Sequence, residues 1–192
     1  SLPIEIAITT VMDALSHSFE SIWNNNANPT STTFAIEAIC SILNNVQNLK
    51  DNPSNLETRI KLLEAASLAG LAFSNTTTAA AHSISYPLTI HYGIPHGIAS
   101  SMSLLPLLEI NRALIQEPLD KICNNNEWTY DQLVEKIKSI PRGVIPYTLE
   151  EWGIMEDQLD QLVLESFTKG RMDNNIKKLS KSDVRKILKI IF

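Results

Sequence analysis

The chain has 192 residues, of which 44% are hydrophobic and 19% charged, and these values are typical of one soluble globular domain. The formal net charge of −5 argues against nucleic-acid binding, which usually requires a basic face. Two cysteines, Cys40 and Cys123, lack metal-site or redox spacing, so we expect plain buried residues. No secretory signal and no bilayer-length apolar run occurs, so we expect a cytoplasmic protein without membrane contact.

Most of the chain shows helical periodicity, because apolar residues recur at intervals of three and four. The pattern predicts a first helix from Pro3 to about Trp23, with proline tolerated in the first turn. A second helix follows the asparagine cluster at 24–26, and a third begins after the turn at 51–54. These long segments favour an all-α helical bundle with at most two short strands.

Helix breakers divide the middle of the chain. The stretch 74–97 is rich in Thr, Ala and His and contains the breakers Pro87, Gly93 and Pro95. We expect a short helix, a bend and a new helix start there. Residues 97–114 are predicted to form one buried helix with a kink at Pro106. Shorter helices are predicted near 129–140, 156–168 and 181–191, and the whole of 1–192 is expected to form a single domain.

One carboxylate and three histidines stand out as candidate metal ligands. Asp13 and His17 are four residues apart, so on a helix they share a face and can reach one ion. Such a pair alone is more often a local hydrogen bond. His82 and His96 lie among small or apolar residues, where a histidine is usually a satisfied core residue. Imidazole and carboxylate are also good ligands for Zn²⁺ or Fe²⁺, so the residues alone leave both interpretations open.

The order and spacing of these four residues resemble the metal site of the iron-containing (group III) alcohol dehydrogenases, whose ligands are Asp, His, His and His. Flanking segments resemble family motifs as well. Residues 12–20 resemble the first ligand helix, and residues 69–73 resemble the small-residue helix before the third ligand. Residues 174–180 resemble the closing motif, although Ile176 stands where proline is usual. The resemblance covers nearly the whole chain.

The resemblance implies the fold and role of the family's carboxy-terminal, dehydroquinate synthase-like helical domain. This domain binds Fe²⁺ or Zn²⁺, here through Asp13, His17, His82 and His96, and the metal is a Lewis acid for the oxygen of a small alcohol, aldehyde or ketone. The family's amino-terminal domain binds NAD or NADP through a glycine-rich loop, and this sequence has none. We therefore expect the nucleotide-binding domain to be missing and the chain to be inactive alone.

Tyr86 is the candidate catalytic residue, because many family members carry a further histidine at this place, four residues after the third ligand. A proton relay through tyrosine needs a lowered pKa or a bound water, since its ordinary pKa is about 10. The alternative is a tyrosine that lines and shapes the cleft. The run 82–89 is similar to the family branch that reduces phosphonoacetaldehyde and to sugar-acid oxidases. Arg171 could then contact an anionic substrate group, and the alternative is a structural or surface Arg171.

Several further interpretations accompany this one. His91 is expected to be a loop residue. Glu20 is near the first ligand pair and could support it from behind, but a glutamate at such a place is more often a helix-surface residue, so we leave it outside the site. A rival within the superfamily is a glycerol-dehydrogenase or dehydroquinate-synthase relative, which uses a carboxylate and two histidines. A rival of another class is a non-catalytic helical domain that binds metal or a partner protein. We also expect homo-oligomers, because Tyr86, Leu88 and Ile94 would be left uncovered without a nucleotide domain.

Overall fold

The computed structural model describes residues 2–192. Within this range the chain forms ten α-helices and four short 3-10 helices, with no β-strand and one isolated antiparallel bridge between Asn24 and Asn175. The α-helices are α1 (Ile4–Ile22), α2 (Pro29–Asp51), α3 (Leu56–Thr76), α4 (Ala80–Tyr92), α5 (His96–Met102), α6 (Leu104–Asn111), α7 (Gln116–Asn125), α8 (Tyr130–Ser139), α9 (Leu159–Glu165) and α10 (Lys181–Ile190). The prediction of an all-α fold is confirmed.

Local capping signals set where the second and third helices begin. Asn28 accepts a hydrogen bond from the backbone N–H of Ser31 at 3.0 Å, and Pro29 occupies the first turn of α2. Asn55 caps α3 through the backbone N–H of Thr58 at 3.0 Å. The three long helices and the breaks between them therefore agree with the sequence prediction.

Helix α1 lies at the centre of the fold, because it packs against α2, α3, α4 and α5. Its large apolar side chains Ile8, Leu15 and Phe19 are fully buried. Ser16 and Ser18 are also buried, and each donates its hydroxyl to a backbone carbonyl one turn earlier. A helix buried on nearly all sides places its polar groups against protein neighbours. Functional groups on α1 therefore meet residues of α4 and α5.

Helix α4 is continuous through Pro87, so the expectation that this proline breaks a helix is wrong. A proline inside a helix removes one backbone hydrogen bond, and here its ring is buried beside the fully buried Leu88. Burial of this segment compensates for the missing hydrogen bond. The helix ends at Gly93, whose φ of 66° is left-handed and suits glycine. His91 consequently lies in α4 and not in a loop.

The predicted helix over 97–114 is divided in two. Helix α5 ends at Met102, and α6 begins at Leu104. The ring of Pro106 would clash with the carbonyl of residue 102 in a continuous helix, and the break places the proline in the first turn of α6, where it is tolerated. Pro106 therefore follows an interruption of one residue, Ser103, in the predicted helix. Helix α7 was not predicted, since only Leu119 and Ile122 of it are buried and its apolar pattern is short.

In the part of the chain from residue 2 to residue 192, no single helix is both long and apolar enough to cross a bilayer. The segments His96–Leu114 and Gln116–Asn125 meet the length and composition criteria only together, and they are bent by 111° relative to each other. The criteria are also met by core helices that are mostly buried, and α5 and most of α6 are buried here.

Candidate metal centre

Three side chains from three helices converge on one point. Asp13 of α1, His82 of α4 and His96 of α5 each offer a ligand atom, and these atoms all lie within 4.8 Å of one another. Oδ1 of Asp13 lies 3.6 Å from Nε2 of His82 and 3.7 Å from Nε2 of His96. Ser100, also on α5, donates its hydroxyl to the same carboxylate oxygen at 3.2 Å. The cluster thus joins residues that are far apart in the chain.

His17 lies beside this cluster and contacts the other oxygen of Asp13. Its Nε2 is 3.6 Å from Oδ2 of Asp13, as the spacing of four residues on one helix face predicts. The imidazole is stacked between the ring of Phe73, at 4.1 Å, and the ring of His82, at 4.3 Å. The set of mutually close ligand atoms comprises Asp13, His82 and His96 without His17. The structure therefore places the fourth predicted ligand next to the cluster.

A close approach of α5 to α1 brings His96 to Asp13. The residue after His96 is Gly97, which is buried against the first helix. A Cβ atom at Gly97 would collide with the carbonyl oxygen of Thr9 and would lie 2.9 Å from Cβ of Asp13. Only glycine allows the two backbones to come this close. The His-Gly pair at the start of α5 is thus a packing requirement of the cluster.

The donor atoms of the cluster fit a divalent metal ion. Nε2 of His82 and Nδ1 of His17 are buried and have no hydrogen-bond partner within residues 2–192. Leaving a buried polar atom without a partner is unfavourable, and a bound cation is one way to satisfy Nε2 of His82. Imidazole nitrogen and carboxylate oxygen are ligands that suit Fe²⁺ and Zn²⁺.

Glu20 was expected on the helix surface, and this expectation is wrong, because the side chain is fully buried. One carboxylate oxygen lies 2.6 Å from Nδ1 of His82 and accepts the backbone N–H of Ala79 at 2.9 Å. The other accepts the backbone N–H groups of Ala81, at 2.6 Å, and of His82, at 3.2 Å. Asp13, His17 and Glu20 follow a spacing of four and three residues, which places all three on one helix face. This spacing is the signal that could have identified Glu20.

The charges of the cluster shift its pKa values in opposite directions. Burial disfavours the charged form of Asp13, but the nearby imidazoles of His17 and His82 outweigh this effect and hold the pKa of the carboxyl below its usual range. Burial also disfavours the charged form of His82, but the negative charge of Glu20 and the contact with Asp13 raise the pKa of its imidazole to about 10. Burial lowers the pKa of His96. A metal ion and a proton would therefore compete for Nε2 of His82.

Tyr86 follows His82 by four residues and so lies on the same face of α4, one turn further along. It is half-buried, and its hydroxyl accepts a hydrogen bond from Nε of Arg171 at 3.3 Å. Nη1 of Arg171 donates to the carbonyl of Gly170 at 2.9 Å. Within the described part of the chain, Nη2 has no protein acceptor. Arg171 is thus neither a free surface residue nor fully occupied by structural contacts.

His91 lies on the exposed side of α4, where its Nε2 is 2.6 Å from a carboxylate oxygen of Glu165. Leu88 and Ile94 are fully buried, so the expected open apolar patch that includes them is wrong. Packing of α4 and α5 over α1 covers both side chains without any further domain. Self-association itself stays a prediction.

The fold and the cluster together define an all-helical domain in which one carboxylate and two imidazoles from three helices lie close together. Comparison with known families agrees with this class. Residues 7–192 match the family described as "Fe-containing alcohol dehydrogenase family, C-terminal". The chain belongs to this family.

Individual relatives support the assignment. The chain is 28% identical to the NADPH-dependent butanol dehydrogenase of Clostridium saccharobutylicum, over 100% of its own length and 52% of that protein. It is 29% identical to long-chain-alcohol dehydrogenase 1 of Geobacillus thermodenitrificans, over 100% and 51%. Among solved structures, sulfoacetaldehyde reductase from Bifidobacterium kashiwanohense in complex with NAD⁺ is similar, with a TM-score of 0.89, 27% identity and coverage of 100% and 51%. The chain thus spans about half the length of these relatives.

Proposed function

We propose that this chain is the metal-binding part of an oxidoreductase that interconverts an alcohol and an aldehyde or ketone with NAD or NADP. The observation that carries the proposal is the convergence of Asp13, His82 and His96, with Nε2 of His82 buried and unpartnered. Membership of the alcohol dehydrogenase family gives the reaction class. A non-catalytic metal-binding domain remains the alternative that the experiment must exclude.

The proposed ligands are Asp13, His17, His82 and His96, and the proposed ion is Fe²⁺ or Zn²⁺. When bound, such an ion supplies Lewis-acid polarisation of the substrate oxygen. The chain's own residues prepare this site in three ways. The carboxylate of Asp13 contributes negative charge, Glu20 holds the imidazole of His82, and the contact of α5 with α1 fixes His96 beside them. These positions are set by buried helix packing, which favours precise geometry.

The nicotinamide cofactor is proposed to come from a nucleotide-binding domain outside this chain. The sequence lacks a glycine-rich phosphate loop, and the chain matches about half of each relative. One relative is named as NADPH-dependent and another is a complex with NAD⁺, so both cofactors are candidates. The cleft between the two domains is where metal site and nicotinamide would meet, and transfer of hydride depends on both.

Reconstitution tests the proposed activity. The chain, joined to the nucleotide-binding half of the butanol dehydrogenase relative and loaded with Fe²⁺ or Zn²⁺, is expected to reduce small aldehydes with NADH or NADPH. Oxidation of the cofactor, followed by absorbance, measures the rate. Asp13→Asn is expected to abolish turnover, because it removes the carboxylate charge at the centre of the cluster. A fusion that folds and binds metal but turns over no alcohol or aldehyde would support the non-catalytic alternative.

We also propose an acidic aldehyde as the substrate class, with Tyr86 and Arg171 as the residues that contact it. The guanidinium donates to the hydroxyl of Tyr86 and keeps Nη2 available. Tyr86 itself lies one helical turn from His82 on α4. A similar structure is named as a sulfoacetaldehyde reductase, an enzyme with an anionic substrate. In this arrangement Arg171 pairs with the anionic group, and Tyr86 orients the guanidinium and lines the cleft. The alternative to this orienting role is that Tyr86 transfers a proton during the reaction.

Arg171→Gln is expected to lower kcat/KM for an acidic aldehyde by roughly tenfold to a hundredfold, since hydrogen bonds to charged groups contribute about 1.5–3 kcal/mol. The kcat/KM for a neutral aldehyde such as butanal should stay unchanged. Lys169→Gln is the matched control, because it removes an exposed positive charge from the same segment. The test is to measure kcat/KM for the acidic and the neutral aldehyde with both variants in the reconstituted enzyme. Equal losses for acidic and neutral aldehydes would contradict the proposed role of Arg171.

A further inference from the structure

The carboxylate of Glu20 is the feature of the fold that no ligand assignment uses. It is fully buried on α1, and burial of a carboxylate is unfavourable unless hydrogen bonds compensate. Each of its two oxygens here has two donors: Ala79 N–H and the Nδ1 side of His82 for one, Ala81 N–H and His82 N–H for the other. All four contacts lie at the start of α4, the helix that carries His82.

Helix α4 has no cap of its own. The residue at its amino-terminal boundary is Ala79, whose side chain makes no capping hydrogen bond. The first backbone N–H groups of a helix need acceptors, and Glu20 supplies them from another helix. A negative charge at this end also interacts favourably with the helix dipole. Glu20 thus fixes the start of α4 relative to α1, the helix that carries Asp13.

The same carboxylate determines which way the ring of His82 faces. Nδ1 of His82 points to Glu20 at 2.6 Å, and Nε2 points to Asp13 at 3.6 Å. A histidine whose Nδ1–H donates to a carboxylate presents its Nε2 lone pair on the opposite side of the ring. Hydrogen bonds of this kind orient metal-binding histidines and set their tautomer. The ring is also stacked on His17 and lies near His96, so its plane is held as well.

We propose that Glu20 is a positioning residue of the metal centre: it presents Nε2 of His82 to the ion and ties the start of α4 to α1. The inference rests on the proposed function, because it presumes metal binding at the Asp13–His82–His96 cluster. Glu20 itself contacts neither metal nor substrate in this proposal and acts through His82. The competing explanation is that Glu20 is only a structural cap, whose loss would lower stability without a specific effect on the metal.

Glu20→Gln separates the two explanations, because it keeps size and removes charge. An amide has one oxygen and one NH₂ group, so it cannot accept from all four donors, whichever way it is turned. With the NH₂ group toward Nδ1 the favoured tautomer of His82 would carry its proton on Nε2, the atom that must face the ion. We expect the Kd for Zn²⁺ to rise roughly 10- to 100-fold, as for other outer partners of metal ligands. The ligand-field spectrum of the Co²⁺-loaded chain should change as well.

Asn55→Ala is the matched control. It removes the side-chain cap of α3, a loss typically of about 1 kcal/mol in stability, and Asn55 makes no contact with the cluster. Denaturant unfolding is measured for both variants beside the Zn²⁺ titration. We expect Asn55→Ala to lower stability and leave the Zn²⁺ affinity and the Co²⁺ spectrum unchanged. If Glu20→Gln behaves like Asn55→Ala, with lower stability and unaltered metal binding, Glu20 is a cap only and the inference is overturned.

A measurement on the unaltered chain covers the case in which Glu20→Gln does not fold. In the Zn²⁺-loaded chain, nitrogen–proton NMR correlations of a sample labelled at histidine are expected to place the His82 proton on Nδ1. A proton on Nε2 with Zn²⁺ on Nδ1 would overturn the inference while leaving metal binding intact. A wild-type chain that binds no divalent metal at all would instead contradict the proposed function. The two failures are therefore distinguishable.

Discussion

Replacing His96 with alanine is expected to reduce the affinity of the chain for Zn²⁺ or Fe²⁺ by more than a hundredfold. The loss of a direct ligand should exceed the roughly 10- to 100-fold loss typical of an outer partner. His96 suits this test because 43% of its side chain is exposed, so its removal leaves little cavity in the core. The buried His82 suits it less, since its removal would leave Glu20 as an unpaired buried charge and destabilise the fold.

His91→Ala provides the comparison for His96→Ala. His91 is five residues before His96 in the chain, but its imidazole pairs with Glu165 on the surface. We expect wild-type metal affinity for this variant. Calorimetric titration with Zn²⁺, and with Fe²⁺ under anaerobic conditions, measures both variants. Equal effects of the two substitutions would show that the ligand assignment is wrong.

The parts of the fold that the sequence predicted are those where helical periodicity is sustained. Helices α1, α2 and α3 are about twenty residues long, and asparagine-rich breaks separate them. The errors lie at the prolines, because the effect of a proline depends on its place within a helix. Pro87 lies well inside α4, where burial keeps the helix continuous, whereas Pro106 lies in the first turn of α6 and follows a break. Burial and helix start are tertiary properties that local patterns do not contain.

In the candidate site, too, the sequence predicted what local patterns determine and missed what tertiary packing determines. The resemblance named Asp13, His17, His82 and His96, and the fold brings the ligand atoms of Asp13, His82 and His96 together, with His17 beside them. Glu20 was missed, because an acidic residue on a helix is exposed in most proteins and nothing local indicates that α1 is buried on nearly all sides. Conversely, Leu88 and Ile94 were expected to be uncovered, yet α4 and α5 bury them against the core. The candidate ligands thus come from the family resemblance, whereas the groups that support them depend on how the helices pack.

Gly97→Ala is expected to damage both stability and metal binding, because Gly97 lies where α5 touches α1. An alanine Cβ would collide with the backbone carbonyl oxygen of Thr9 and would lie 2.9 Å from Cβ of Asp13. The colliding atoms belong to the backbone of a central helix, so they cannot rotate away as a flexible side chain could. Overpacking of a core contact costs about 1–3 kcal/mol. This loss exceeds the gain of up to about 1 kcal/mol that alanine brings over glycine inside a helix.

Gly70→Ala is the control that isolates this steric effect. Gly70 lies inside α3, and a Cβ atom there would meet nothing within 4 Å. The propensity gain is then unopposed, so Gly70→Ala is expected to raise the free energy of unfolding by up to about 1 kcal/mol. Metal affinity should be unchanged, since Gly70 makes no contact with the cluster. Urea unfolding and Zn²⁺ titration are applied to both variants.

The expected coupling between stability and metal affinity follows from the position of His96 directly before Gly97. Relief of the collision requires α5 to move away from α1, and this movement withdraws His96 from Asp13, whose carboxylate oxygen is now 3.7 Å away. It also weakens the hydrogen bond from Ser100 to the same oxygen. A displacement of even 1 Å is large for a site that depends on oriented ligands. A Gly97→Ala chain as stable as wild type and equally tight for Zn²⁺ would show that the two helices do not need this close approach.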